Sequence, residues 1–172
     1  KEQNEELRQW ITVVILSAVI LVGIMKAGVV GLFLYNLQRY LFGNLFWIVL
    51  GLMVGQILMN MMNRKHGVEQ KNPLPVILIA CAIMMLCTFA DIHDGTTGWG
   101  PFIDMVALYK DYFAADSAVN ASGGLFGTLL YSLCSMLFGR PGTILVIAVM
   151  FIISALLLVS LDVYKKAGQT VF

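Results

Sequence analysis

Three side chains that can coordinate a metal ion, Asp91, His93 and Asp94, lie within four residues of one another. Carboxylate oxygens and imidazole nitrogens are common metal ligands, so this cluster first suggests a metal centre. No second group of ligands with a defined spacing occurs in the sequence, and the cluster directly follows an apolar run. A polar turn after a membrane helix is therefore the preferred interpretation, and we predict neither metal nor cofactor in this chain.

Sequence signatures of catalysis are also missing. The chain contains no Gly-x-x-x-x-Gly-Lys-Ser/Thr phosphate-binding loop and no His-Glu-x-x-His zinc motif. Asn120-Ala-Ser122 matches the acceptor pattern for N-glycosylation, but three residues are too short a pattern to carry weight. We therefore predict that this chain is not an enzyme and that it has no catalytic residue.

The composition indicates an integral membrane protein. Of 172 residues, 59% are hydrophobic and only 12% are charged, and the mean hydropathy is +0.85. Soluble domains carry about 25% charged residues. A net charge of +1 gives no general attraction to nucleic acid. Cys81, Cys87 and Cys134 lie in apolar runs without paired spacing, so we interpret them as small buried hydrophobic residues.

Four apolar runs are near the lower limit of about 17–20 residues that a membrane-spanning helix needs. Only helices are expected to span here, because an isolated strand would leave backbone polar groups unpaired in lipid. The sequence therefore predicts an all-α membrane protein with four transmembrane helices. The spans cover Trp10–Met25, Leu45–Met62, Leu74–Ala90 and Thr143–Leu161.

A sixteen-residue segment is repeated within the chain. Residues Gly28–Gly43 align with Gly124–Gly139, ninety-six positions later, and eight of the sixteen positions are identical. A helix of that length reaches only about 24 Å, and glycines bound both copies. We therefore predict two short glycine-bounded helices, interfacial or re-entrant, within a twofold internal repeat.

The whole chain, residues 1–172, is interpreted as one transmembrane domain. It would consist of a half-repeat over residues 10–62, a second over residues 74–161, and an outer loop over residues 91–122. With four spans and the N-terminus inside, seven basic residues lie on the inner face and four on the outer face, as the positive-inside rule requires. We therefore expect both termini to be cytoplasmic.

Small and amide residues are the candidates for helix packing and assembly. Gly51-x-x-x-Gly55 in the second span lets helix backbones approach in lipid, either within the subunit or between subunits. Gln56 and Asn60 share a helix face with Asn63 and are expected to meet another helix. The full candidate set is Gly28, Gly31, Gly43, Gly51, Gly55, Gln56, Asn60, Gly124, Gly127 and Gly139.

The outer loop is acidic and carries apolar residues at helical spacing. Phe102, Ile103, Val106, Tyr109 and Phe113 would form one face of an amphipathic helix on the membrane surface. A solvated cap over the helix ends fits the same pattern. The candidates for outer-loop contacts are Trp99, Phe102, Tyr109 and Phe113.

Several glycine-rich segments suggest a family. Gly28-Val-Val-Gly31, the run from Leu34 to Gly43, Ser122-Gly-Gly-Leu-Phe-Gly127 and Leu137-Phe-Gly139 resemble the N-terminal membrane domain of FtsK/SpoIIIE-type DNA translocases. The resemblance covers roughly residues 10–165. It implies four spans with both termini cytoplasmic, at the bacterial division septum.

The resemblance also implies a function. In such a protein a linker and a hexameric ATPase motor, with its ATP, magnesium and double-stranded DNA, would come after Phe172; none of these belongs to this chain. The expected role is a membrane anchor and assembly domain in chromosome partition and cell division. The expected partners are membrane lipid, further copies of the chain and septal proteins, with no small-molecule substrate.

A different class of function stays open at this point. Duplicated halves with short re-entrant helices are also typical of small solute transporters and channel subunits. Arg39 could then meet an anion, although the second copy has Ser135 at that position. The spans contain no ionisable residues at depth, which disfavours this alternative. A division-site scaffold would differ from the translocase anchor only in having no motor after Phe172.

Overall fold

The computed structural model describes residues 2–65, 73–92, 95–113 and 120–158. In these ranges the protein is built from helices and contains no strand, which confirms the predicted all-α membrane fold. The helices are α1 (Glu2–Ile24), α2 (Gly28–Phe42), α3 (Phe46–Lys65), α4 (Leu74–Asp91), α5 (Gly100–Ala107), α6 (Tyr109–Phe113) and α7 (Gly124–Leu158).

The predicted spans coincide with α1, α3, α4 and the second part of α7. By length and composition, α4 and α7 are apolar enough to cross a membrane, and α1 with α2 adds a third span if that bent pair counts as one. The apolar part of α3, Phe46–Asn60, is shorter, and so falls below the length usual for a crossing. The end of the fourth predicted span, residues 159–161, lies outside the described residues.

The first repeated segment forms α2, which turns by 101° from the apolar part of α1. The turn occurs where Lys26 and Gly28 have φ angles of 49° and 64°. This left-handed region favours glycine because a Cβ atom is crowded there. If α1 runs across the membrane, α2 therefore runs close to the membrane plane.

The second repeated segment forms the first part of α7. Gly139 interrupts that helix with φ 66° and ψ −178°, so α7 consists of two helical segments on either side of it. All four glycines that bound the two segments, Gly28, Gly43, Gly124 and Gly139, have positive φ angles. Gly43 and Gly139, which close the two repeated segments, also have similar ψ angles of −166° and −178°. The limits of the two half-repeats stay a prediction.

Packing of α4 against α7 forms one part of the core, in which Ala82, Met85 and Ile147 are buried. Val49 of α3 packs against Ala80 and Met84 of α4 in a second cluster. These contacts hold α3, α4 and α7 side by side.

The two ends of α4 serve as references for the two ends of the bundle, called here the Leu74 end and the Asp91 end. Near the Leu74 end, the buried Ser154 hydroxyl donates a hydrogen bond of 2.6 Å to the carbonyl of Pro75. This bond ties the second segment of α7 to the start of α4. At the Asp91 end, the repeated helices meet.

Candidate functional site

The end of α2 and the start of α7 meet at two glycines, Gly43 and Gly124. Their φ angles are 85° and 70°. A Cβ atom added to either glycine would lie closer than 3.0 Å to the backbone of the opposite segment. Beside them, the Asn44 amide donates a 2.9 Å hydrogen bond to the Ser122 carbonyl. The two repeated helices are therefore joined backbone to backbone, at positions where only glycine fits.

A chain of polar side chains surrounds this contact, and we call it the polar junction: Arg39, Asn44, Asp91 and Asn120. The side-chain amide of Asn44 donates to Oδ1 of Asn120, and Asn120 Nδ2 donates to Asp91 Oδ1 at 2.5 Å. Asn44 Oδ1 accepts from Arg39 Nε at 3.4 Å and from the Ala121 amide at 3.2 Å. The polar junction thus connects α2, α4 and the segment before α7.

Asn120→Ala is expected to destabilise the domain by about 1 kcal/mol, because it removes hydrogen bonds on both sides of the polar junction. For a domain of this size, that corresponds to a fall of about 2–4 °C in the unfolding midpoint. The midpoint would be measured in detergent, with Asp104→Ala on the exposed face of α5 as the control. Equal midpoints for the two variants would show that the polar junction contributes nothing to stability.

The start of α7 packs directly on the backbone of α4. Cβ atoms added to Gly123 and Gly127 would lie closer than 3.0 Å to the carbonyl oxygen of Met84, and one at Gly123 would also overlap Thr88 Oγ1. The Thr88 hydroxyl donates a hydrogen bond of 3.1 Å to the same Met84 carbonyl. Gly123, in the turn before α7, and Gly127, in its first turn, are four residues apart and let the start of α7 approach the α4 backbone, as small residues do between membrane helices.

The remaining repeat glycines differ in their surroundings. A Cβ atom at Gly31 would lie 2.8 Å from the Lys26 and Val22 backbones, so Gly31 permits the tight turn between α1 and α2. Gly28 has nothing within 4 Å of such an atom, and Gly139 has only Pro141 Cδ at 3.8 Å. At these last two positions the backbone conformation, rather than crowding, favours glycine.

The Gly51-x-x-x-Gly55 motif faces open space within the subunit. Cβ atoms added at either glycine would have no neighbour within 4 Å among the described residues. Gln56 is 9% exposed and donates a 3.2 Å hydrogen bond to Asn60 in the same helix. The structure therefore brings the two amides together and leaves the glycines uncovered.

Within its described residues 95–113, the outer loop forms two short helices where the sequence predicts one amphipathic helix, because α5 ends at Ala107 and α6 begins at Tyr109. Pro101 and Met105 are buried. The predicted apolar face is turned partly outward, with Ile103 61% and Val106 45% exposed. An outward apolar face is compatible with the predicted position on the membrane surface, which stays a prediction.

Two of the four outer-loop contact candidates lie in an aromatic cluster on α2. Measured between ring centres, Phe113 lies 5.3 Å from Phe33 and 5.0 Å from Tyr109. The ring centre of Tyr109 lies 6.0 Å from that of Tyr40. The other two candidates, Trp99 and Phe102, contact each other at 6.0 Å. Trp99 and Tyr109 remain 42% and 53% exposed, so they are still available to a partner or to lipid.

Hydrogen bonds attach the first part of the outer loop to the second repeated segment. The Tyr131 hydroxyl donates a hydrogen bond of 3.1 Å to the Thr96 carbonyl. The Gly98 amide donates one of 3.1 Å to Ser135 Oγ. Ser135 occupies the position of Arg39 in the first copy. The two copies have therefore diverged: the first contributes to the polar junction, and the second anchors the loop.

Arg140, directly after the second copy, adds a third attachment. Its Nη2 donates a hydrogen bond of 2.9 Å to the Ile92 carbonyl. Its guanidinium carbon lies 5.1 Å from the centre of the Phe89 ring. Both contacts hold the C-terminal end of α4 in place.

Sequence reasoning did not select three residues on which these contacts depend: Asn44, Asn120 and Gly123. Asn44 comes after a helix-ending glycine, where asparagine commonly forms local hydrogen bonds. The sequence marks Asn120 only as part of a glycosylation pattern. The adjacent pair Gly123 and Gly124 was a detectable signal for close backbone packing. Among the described residues, no group of His, Cys, Asp or Glu could hold a metal ion; His93 and Asp94 lie outside them.

Comparisons with known proteins agree with this architecture. The family described as "4TM region of DNA translocase FtsK/SpoIIIE" matches residues 25–170. A DNA translocase FtsK from Lactococcus lactis subspecies cremoris is 23% identical over 140 residues, which are 81% of this chain and 18% of the relative. One from subspecies lactis is 24% identical over the same share. The chain thus spans under a fifth of the length of these relatives. No solved structure matches it significantly.

Proposed function

The chain belongs to the family of FtsK/SpoIIIE four-transmembrane regions, and from this membership we propose that it anchors and assembles a septal DNA translocase. The observation that carries the proposal is the match over residues 25–170, which contain α2 to α7 with the contacts between the repeats. In the proposal the DNA-pumping ATPase comes after Phe172 and holds the ATP, magnesium and DNA. This chain itself performs no catalysis.

The contacts between the two repeated helices suit an anchor. A motor that pulls on DNA transmits force to its membrane domain, and two separate halves would be pulled apart more easily than one. Gly43 and Gly124 join the halves through backbone contact, and the polar junction adds side-chain hydrogen bonds. Arg39, the candidate anion contact in the transporter alternative, donates a hydrogen bond to Asn44 and so takes part in the polar junction.

The proposed topology places both termini in the cytoplasm, and the distribution of basic residues supports it. It predicts that Lys110→Cys reacts with a membrane-impermeant maleimide in intact cells, whereas Lys65→Cys reacts only after permeabilisation. Both variants would be made after replacing the three native cysteines with alanine. Labelling of Lys65→Cys from outside would contradict this topology.

Recruitment to the division septum is tested by fusing a fluorescent protein to Phe172. The expected result in dividing bacteria is a midcell band stronger than that of a membrane dye in the same cells, since the dye corrects for the two membranes at a septum. Fluorescence that matches the dye around the cell would count against septal recruitment and leave the membrane-anchor assignment intact.

Assembly is tested by crosslinking in native membranes. A domain that brings motor subunits together should give a ladder of species above the dimer, at protein densities where an unrelated four-span protein stays monomeric. A persistent monomer would refute the assembly part of the proposal.

A further inference from the structure

The two repeated helices turn their polar residues towards the rest of the protein. In α2, Gln38 is buried, and its Nε2 donates a hydrogen bond of 3.2 Å to the Val19 carbonyl of α1. In the first segment of α7, Ser135 is buried and accepts from the Gly98 amide of the outer loop. The buried polar residues of the two helices are Asn36 and Gln38 on α2, and Thr128, Ser132 and Ser135 on α7. The packed side of each helix is therefore its polar side.

The opposite sides of these two helices are apolar and exposed. Val29 on α2 is 86% exposed, and Leu137 on α7 is 72% exposed. Within residues 28–42 and 124–139, all of which the structure describes, no polar residue is among the exposed ones. We call these sides the two exposed faces; they consist of Val29, Val30 and Phe33 on α2, and Phe126, Leu133, Met136, Leu137 and Phe138 on α7.

This arrangement argues against a position on the membrane surface. A helix that lies in the headgroup region turns a charged or polar face to water, and neither exposed face offers one. Arg39 is the only charged residue of the two segments. It donates a hydrogen bond to Asn44 and so belongs to the polar junction rather than to an exposed face.

The contacts of α7 with α4 indicate how deep the second repeated helix begins. Helix α4 is apolar enough to cross a membrane over all its 18 residues, which extend about 27 Å, close to the hydrocarbon thickness of about 30 Å. With the ends of α4 taken as the hydrocarbon boundaries, Gly127 packs on the Met84 carbonyl about 10 Å inside the boundary at Asp91. Arg140, after the helix, donates to the Ile92 carbonyl at that boundary. The first segment of α7 therefore slopes from inside the hydrocarbon up to its surface.

The first repeated helix ends at a similar depth. Phe42, its last residue, packs against a cluster that includes Ala80 and Met84 of α4. Gly43 then meets Gly124, so the contact between the two repeated helices lies at this level as well. Because α2 turns by 101° from the apolar part of α1, its length lies along one leaflet rather than across the membrane.

Two features identify lipid, rather than a second copy of the chain, as the partner of the exposed faces. Contacts between membrane helices rely on small and polar residues, which allow close approach and hydrogen bonds. Such residues lie on the packed sides of both helices, whereas the exposed faces consist of Val, Leu, Met and Phe. In addition, exposed apolar residues continue along the chain past Gly139, with Ile144 and Leu145, into the membrane-crossing part of α7.

We propose that the two exposed faces contact the acyl chains of one leaflet, the leaflet at the Asp91 end, and that both repeated helices lie inside its hydrocarbon rather than in the headgroup region. In the proposed topology this is the outer leaflet. The domain then displaces more lipid from that leaflet than from the other, because no helix among the described residues lies along the membrane plane near the Leu74 end.

Spin labels on single cysteines test the proposal in liposomes. After the three native cysteines are replaced with alanine, Val30→Cys and Leu137→Cys would carry a nitroxide on the two exposed faces. Val149→Cys, exposed on the part of α7 after Gly139, is the lipid-facing reference, and Lys110→Cys, exposed on α6, is the water-facing reference. Electron paramagnetic resonance would measure collision rates with oxygen, which concentrates in hydrocarbon, and with a water-soluble nickel complex.

High oxygen and low nickel collision rates, as for Val149→Cys, are expected on both exposed faces. A nickel rate as high as that of Lys110→Cys would overturn the proposal, because the face would then meet water. Low rates with both reagents would also overturn it, because protein, such as a second copy of the chain, would then cover the label.

The slope of the second repeated helix has its own test. The ratio of oxygen to nickel collisions rises with depth in the hydrocarbon. Phe126→Cys, beside the Gly127 contact with Met84, should therefore give a higher ratio than Phe138→Cys, near the boundary. Equal ratios would overturn the sloping position of this helix within the leaflet.

Discussion

Gly123→Ala is expected to lower the unfolding midpoint of this membrane domain by about 6–12 °C, one of the two largest effects we predict for a single methyl group. The added Cβ would lie against the Met84 carbonyl and Thr88 Oγ1, both part of the packed α4 helix. Backbone atoms cannot rotate away as a flexible side chain can, so α7 must shift from α4. Overpacking of this kind costs about 3 kcal/mol of stability. In a domain of this size, that loss lowers the unfolding midpoint by about 6–12 °C.

The matched control is Gly51→Ala, the same chemical change in open space. Since alanine is favoured over glycine inside a helix by about 1 kcal/mol, this variant should be as stable as the parent or slightly more stable. Midpoints would be taken from circular dichroism during heating in one detergent. If Gly123→Ala matched Gly51→Ala, the direct packing of α7 on the α4 backbone would be wrong.

Gly43→Ala is expected to have a comparable effect for two separate reasons. Its φ angle of 85° is in the region that disfavours a Cβ atom, at a cost of about 1–2 kcal/mol. The same Cβ would overlap Ser122 and Gly124, where the repeated helices meet. Together these two effects predict a loss of about 3 kcal/mol or more in the free energy of unfolding. The hydrogen bonds of the polar junction around Asn44 should be lost as well.

Gly28→Ala separates the two contributions. Gly28 has a φ angle of 64° but nothing within 4 Å of an added Cβ, so only the backbone cost applies. Its expected loss is about 1–2 kcal/mol, roughly half that of Gly43→Ala. If the two variants were equally destabilised, the contact between Gly43 and Gly124 would contribute nothing, and the two halves would not be joined there.

The repeated segments show which features the sequence could predict. Glycines at matching positions ninety-six residues apart indicated two short bounded helices, and Gly43 and Gly139 do end helices with positive φ angles. The reason is local: a glycine that ends a helix is specified by the backbone conformation at its own position. Apolar run length likewise located α1, α3, α4 and the second part of α7.

The contacts between distant segments were not predictable in the same way. Nothing near Asn44 in the sequence indicates that its partner is Asn120, seventy-six residues away. The side of α5 that packs on the protein was not predicted either: Pro101 and Met105 are buried, whereas the apolar Ile103 and Val106 are exposed. In a membrane protein, apolar side chains suit both lipid and core, so apolar periodicity alone does not identify the buried face.

The proposed anchor role requires a motor encoded downstream of this chain in the native gene. The most direct measurement is to read the coding region after Phe172. The proposal predicts a polar linker, then a Gly-x-x-x-x-Gly-Lys-Ser/Thr loop within a large ATPase domain. A stop codon shortly after Phe172 would contradict the anchor of a translocase, because no motor would be attached to it.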